Sequence, residues 1–197
     1  MNRLVASIVE VVVVGGLALG VGLVANARRE NGIDLAKAYP RAEAPLVVTA
    51  GKDTAAIEAE VTQRLHEQGQ LTISTADAFA LFSDELYRYE AYVFVDARNL
   101  ANFQEGHIPH AWHLDPYRVE QYAETVVPQC RSAQKTIVYC NGGQCADSEL
   151  AAQHLIGLGV PKESLFIFVG GIQAWKTAGY PLETGDRVPF APPEGGK

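Results

Sequence analysis

Hydrophobic positions are distributed along this chain in distinct textures. From Leu4 to Ala27 nearly every position is apolar, and Val11 to Ala25 reads VVVVGGLALGVGLVA without a charge. About 22 such residues suffice to cross a hydrocarbon core of about 30 Å. The run is apolar on every face rather than along one stripe, so it predicts an N-terminal transmembrane helix within residues 1–27 rather than a buried soluble helix. Glu10 interrupts it, at a depth where a carboxylate costs less than at the membrane midplane. Ala25-Asn26-Ala27 has the small-x-small form of a cleavage site, so export after signal cleavage is the alternative. Arg28, Arg29, Lys37 and Arg41 follow the run and Arg3 alone precedes it, which places the remainder of the chain in the cytoplasm by the positive-inside rule.

Residues 28–69 read as a juxtamembrane linker and helix. Asn31-Gly32, Pro40 and Pro45 break the first part. Over 53–68, Ile57, Val61 and Leu65 fall on one stripe, with Asp53 as a cap and Gly69 as a stop. From Leu71 short apolar runs alternate with amphipathic stretches. Strands are predicted at 71–74, 91–97, 111–114, 135–140 and 165–170, and helices at 75–82 (capped by Thr75), 116–125, 146–158 and 172–178. This alternation implies an α/β fold with a parallel sheet covered on both faces, and ligands bind such sheets beyond the carboxyl ends of the strands. The domain spans 70–186, and the Pro- and Gly-rich tail at 187–197 is expected to be flexible.

Composition narrows the function classes. A hydrophobic fraction of 48% with 20% charged residues excludes wholesale disorder. The net charge is -7 and Lys and Arg form no block, so no nucleic acid is expected as a partner. The three cysteines, Cys130, Cys140 and Cys145, are too few for a disulfide scaffold. Cys130, in a polar stretch after Pro128, reads as incidental.

The segment TIVYCNGGQCADS, Thr136 to Ser148, carries the candidate chemistry. An apolar strand delivers Cys140 to its carboxyl end, and the loop Asn141-Gly142-Gly143-Gln144-Cys145 enters a helix near Ala146. The two glycines permit positive φ, so successive amides can turn inward as an anion-binding nest beside the positive end of the helix. A thiol in that cradle ionises readily, and the thiolate is the form that attacks sulfur. A lone cysteine closing a strand is otherwise small core filler.

Four segments resemble the rhodanese (sulfurtransferase) family over residues 71 to about 185. Asp96-Ala97-Arg98 looks like its D-x-R element. Phe103 to Ala111 resembles F-x-x-G-H-I-P-G-A, with His110 where Gly is usual. Tyr139-Cys140-x-x-Gly143 matches Y-C-x-x-G, and Gly170-Gly171-Ile172-x-x-Trp175 with Gly179-Tyr180-Pro181-Leu182 matches the closing segment. The resemblance implies a rhodanese-like five-stranded parallel sheet flanked by helices. It implies that Cys140 accepts a sulfane sulfur from a small donor as a persulfide and passes it to a thiol or cyanide-like acceptor, with no cofactor. Asp96 and Arg98 are expected to brace the strand end rather than touch substrate. His107, His110 and His113 lie three apart, but Pro109 prevents a regular helix, and no metal is expected.

The loop departs from the family where it commonly carries Arg: Cys145 stands there, and Ala146 stands where related phosphatases need Arg. The site thus lacks a cation for thiosulfate or phosphate. Cys145 is either a resolving thiol for Cys140 or an inert thiol at the loop base. A thiol–disulfide redox protein using the pair, and a non-catalytic interaction module, are the other readings. No protein partner is named by the sequence, and membrane lipid is expected only around the N-terminal helix.

Overall fold

The computed structural model describes residues 52–190, with short helical pieces at 13–16, 20–21 and 24–25. Among these residues no helix is long and apolar enough to cross a membrane. Most of the expected anchor, the linker at 28–51 and the tail from 191 onward lie outside the described residues. Contacts divide the chain into two units, Met1–Val47 and Val48–Lys197, and the sheet and its helices belong to the second.

Helix α1 (Lys52–Glu67) turns its predicted stripe inward: Val61 and Leu65 are buried and Ile57 packs against them. Gly69, at φ +69°, ends it. Next in the chain come β1 (Leu71–Ile73), α2 (Thr75–Ser83), a 3₁₀ turn at Glu85–Tyr89, β2 (Tyr92–Asp96), α3 (Leu100–Glu105), β3 (Trp112–His113), a 3₁₀ turn at Val119–Gln121 and α4 (Ala123–Ser132). The chain continues through β4 (Lys135–Tyr139), α5 (Asp147–Gly157), a 3₁₀ turn at Lys162–Ser164, β5 (Leu165–Phe168) and α6 (Gly171–Thr177).

The five strands form one parallel sheet in the order β1-β5-β4-β2-β3, flanked by helices as expected. Because strand side chains alternate between faces, the sheet separates two cores. Val93, Val95, Val138 and Ile167 pack with α1, α4 and α5 on one face. Phe94, Ile137, Tyr139 and Phe168 pack with residues of α2 and α6 on the other, around the fully buried Trp175. Trp175 donates its indole N–H to Pro181 O at 2.7 Å, which ties the closing Gly-x-Pro segment to the core. Cys140 continues the β4 alternation and faces the first core.

Several local expectations are corrected. The cap of α2 is Ser74, whose Oγ accepts from Asp77 N at 3.1 Å, not Thr75. The helix expected at 116–125 starts instead at Ala123. Asp115 Oδ1 accepts from Tyr117 N at 3.0 Å, a local turn that competes with helix, and the apolar face that does become buried is Val126, Val127 and Cys130. That burial outweighs the helical bond that Pro128, inside α4, cannot donate. Cys130 is therefore a core residue at 0% exposure, not an incidental thiol in a polar stretch. Helix α3 was not expected; Asn99, accepting from Asn102 N at 2.9 Å, caps it.

Candidate active site

β4 lies between β5 and β2, so the residue leaving its carboxyl end emerges near the middle of the sheet edge. That residue is Cys140, 2% exposed. Its Sγ lies 3.4 Å from Ser148 Oγ and 3.4 Å from the carbonyl of Cys145. The Cys145 thiol and the amides of Gly142 and Ser148 are near enough to favour its ionised form. Ala146, at the N-cap of α5, supplies no side-chain cap. The sulfur thus takes up an amide that the start of this helix would otherwise leave unpartnered.

The loop holds its curve by backbone packing. Gly142 and Gly143 take φ of +107° and +63°. A Cβ on Gly142 would run into the carbonyl of Gly170. A Cβ on Gly171, at φ +55°, would lie 2.5 Å from Cys140 O and 2.6 Å from Gly142 N. The loop is seated on the start of α6, where Ile172 N donates to Cys140 O at 2.9 Å and Gln173 N to Asn141 O at 3.2 Å. Two loop amides are spent elsewhere: Gly143 N on Val169 O at 3.0 Å and Cys145 N on Gly142 O at 3.4 Å. The inward cradle is therefore narrower than the glycine pair suggests.

These contacts decide where negative charge resides. The hydrogen bond from Cys145 is the largest influence on Cys140; burial opposes it, and Ser148 Oγ and the two amides add to it, leaving the thiol lowered to about 7. Cys145 is pushed up, first by donating to Cys140 and then by burial. Each sulfur has two amides near it, those of Asn141 and Asp147 for Cys145 and those of Gly142 and Ser148 for Cys140, but Cys140 has the Ser148 hydroxyl as well, so the shared charge belongs on Cys140. Cys130, buried in the apolar core, is pushed up to about 12.

The sequence-predicted loop residues come together as a unit. Asn141, Gly142, Gly143 and Cys145 are half-buried around Cys140, while Gln144 and Ala146 are exposed at the rim. Asp96 and Arg98 leave the neighbouring strand. Arg98, 3% exposed, forks onto the Asp96 carboxylate and also donates to Gly106 O at 2.8 Å, so its charge is committed to bracing. The acids beside the loop are themselves engaged: Asp147 accepts from Tyr117 OH at 2.9 Å, and Glu149 accepts a fork from Arg64 of α1. His107, His110 and His113 bond separate carbonyls, those of Phe103, Val188 and Arg98, and among the described residues no metal-ligating cluster occurs. His110 adopts φ +64°, the conformation for which glycine is usual.

Three participants escaped the sequence reading. Ser148 was visible only as a serine in the first turn after the loop. Gly170-Gly171 was visible as a motif, but its use as the seat of the loop depends on a contact distant in sequence. Ile57 of α1 borders the loop, its Cγ2 3.7 Å from a Cβ position at Gly143, although the helix precedes the domain.

A family model described as Rhodanese-like domain matches residues 81–178. Among curated proteins, the chain is 34% identical over 100 residues to thiosulfate sulfurtransferase GlpE of Pseudomonas putida, covering 51% of this chain and 83% of that protein. It is 29% identical over 92 residues to the GlpE of Coxiella burnetii, covering 47% and 78%. Two solved structures share the fold, each with a TM-score of 0.50. One is the BH2092 protein of Bacillus halodurans, at 22% identity over 64% of this chain and 85% of that one. The other is a thiosulfate sulfurtransferase of Pseudomonas aeruginosa, at 23% identity over 69% of this chain and 24% of that one.

Proposed function

The chain belongs to the rhodanese-like family, and from that premise we propose that it is a sulfurtransferase carrying sulfane sulfur as a persulfide on Cys140. The observation that supports this most directly is the set of donors around Cys140 Sγ, which favours a thiolate at the mouth of a loop rather than a core thiol. The thiolate attacks the outer sulfur of a donor, and the donor's remainder leaves with the bonding electron pair. The outer sulfur of the resulting persulfide is then attacked by an acceptor, a thiol or a cyanide-like nucleophile, and Cys140 departs as thiolate. The amides of Gly142 and Ser148 stabilise that thiolate at the start and end of the cycle.

The relatives are named for thiosulfate, which carries two negative charges. Here Cys145 occupies the position where the family commonly has Arg, and Arg98 is spent on Asp96 and Gly106. A donor with less charge than thiosulfate suits this site better. The placement of the two thiols in one short loop, each shifting the ionisation of the other, favours one second reading, a dithiol redox protein.

Intact-mass measurement of the reduced full chain, exposed to thiosulfate, mercaptopyruvate or a small persulfide, tests the proposal. The expected result is a gain of about 32 Da, one sulfur, in a Cys145→Ser chain, where no second thiol can displace it, and no gain in Cys140→Ser. Loss of two hydrogens by the wild type on mild oxidation, with no sulfur gain by Cys145→Ser, selects the redox reading, and no change of either kind selects a binding module.

The apolar run at residues 4–27 supports membrane attachment with the domain on the cytoplasmic side. The chain should then resist alkaline carbonate and dissolve in detergent; release by carbonate would sink the attachment.

A further inference from the structure

Cys145 is placed to do more than fill the loop base. It closes the same loop as Cys140, with its backbone carbonyl 3.4 Å from Cys140 Sγ, and it is half-buried, while Cys140 is almost closed off. Its neighbours Gln144 and Ala146 are exposed, so an external reductant can approach Cys145 more readily than Cys140. The Cys140 to Gly143 part of the loop is fixed on the start of α6 and on Val169, whereas the bond that holds Cys145, from its N to Gly142 O, is long at 3.4 Å, so the Cys145 end is the part held least firmly. Cys130 shows the contrast: it is sealed in the apolar core on α4, and its hydrogen bonds run to Thr136 and backbone, not to a sulfur.

We propose that Cys145 resolves the Cys140 persulfide, so that the chain reduces sulfane sulfur to sulfide at the expense of an external dithiol. This rests on the persulfide reading of Cys140. In the first step Cys145, the thiol that donates to Cys140, gives its proton to the terminal sulfur of the persulfide. The Cys145 thiolate then attacks Cys140 Sγ. The bond between Sγ and the terminal sulfur breaks, its electron pair leaves with that sulfur as hydrosulfide, and a Cys140–Cys145 disulfide forms. The sulfane sulfur gains two electrons and the two cysteine sulfurs lose one each. An external dithiol then reduces the disulfide by exchange and becomes a disulfide itself, which restores both cysteines. In this chain the position that could hold a cation for an anionic donor holds instead the reductant of its product.

The Cys140 thiolate is what chiefly keeps Cys145 protonated, and that influence falls away once Cys140 Sγ is bonded to the sulfane sulfur, which frees Cys145 to give up its proton. Its own thiolate then forms only after the negative charge has moved out to the terminal sulfur and been neutralised.

The test is a single turnover on the full chain, reduced, freed of reductant, mixed with glutathione persulfide and desalted. The readouts are intact mass and released sulfide, corrected for donor alone. Wild type should end about 2 Da lighter, as the disulfide, with one equivalent of sulfide per chain. Cys145→Ser and Cys145→Ala should each retain about 32 Da extra on Cys140 and lose the sulfide burst. Two substitutions guard against a loop defect peculiar to one side chain, and circular dichroism checks that each folds. A wild type that keeps the added sulfur and behaves like both variants overturns the resolving role while leaving the persulfide reading intact. Absence of added sulfur in all three proteins, with no disulfide in wild type, overturns both.

Discussion

β2 and β4 lie side by side in the sheet with Asp96 opposite Tyr139, and the segments that leave them treat a negative charge in opposite ways. After β2, the Asp96 carboxylate is wholly buried and its oxygens accept from the Arg98 backbone amide and guanidinium. Arg98 also reaches Gly106 O, so ion pair and loop lock one another. After β4, the Cys140 sulfur lies 3.4 Å from the Ser148 hydroxyl, Cys145 and two amides add to the stabilisation of its charge, and among the described residues no cation is bonded to it. A charge matched by a forked cation is fixed in place and inert. A charge held by several weaker dipoles keeps lone-pair density available for attack.

Breaking the first of these ends should have the largest effect on stability. Asp96→Asn leaves Arg98 charged, buried and without its counter-ion. Removing one partner of a buried pair costs about 3–5 kcal/mol. Urea unfolding of the full chain should show a correspondingly lower midpoint. A midpoint like that of wild type would mean that Arg98 finds other partners and that the brace is not a fixed element.

Gly142→Ala sharpens the comparison from the other side, since the β4 loop depends on backbone fit rather than on charge pairing. An L side chain at φ +107° is strained, and its Cβ would meet the carbonyl of Gly170. The cost is about 1–3 kcal/mol, and relief requires the loop to lift from α6. The amide of Gly142 then moves away from Cys140, and the rate of iodoacetamide reaction at Cys140 should fall about tenfold, equivalent to about 1.4 kcal/mol of lost thiolate stabilisation. An unchanged alkylation rate would show that the amide cradle contributes little.

The two ends were unequally legible in the sequence. Cys140, Gly142, Gly143 and Asp96-Ala97-Arg98 could be read because each sits where a buried strand stops, and that boundary is local. The five strands could be read for the same reason: β2 and β4 are almost continuously apolar, as strands buried on both faces must be. What escaped depended on remote contacts. Ser148 matters only because α5 begins where it does, Gly170 and Gly171 only because they meet Gly142, and α1 only because Val61 and Leu65 find the core across the sheet. The late start of α4 was missed because the side chain of Asp115 diverts the backbone first.

The smallest effect, and the finest probe of the sulfur end, is expected from Ser148→Ala. Its Oγ, 3.4 Å from Cys140 Sγ, is one of several donors to the thiolate, and at 3% exposure its loss admits little new water. Removing a donor to the charged form raises the pKa, so the pH midpoint of Cys140 alkylation should move up from about 7. Because several donors share the thiolate, the loss of this one is worth about 0.5–1 kcal/mol, so the shift should stay below about one pH unit and slow alkylation near neutral pH about two- to fivefold. At high pH both proteins are fully ionised and their rates should converge, which separates an effect on ionisation from a distorted loop. Cys130 serves as an internal control, since burial that pushes its thiol up to about 12 should keep it silent throughout. A constant ratio of rates across the whole pH range would mean that Ser148 shapes the loop, and that the amides and Cys145 alone set the charge on Cys140.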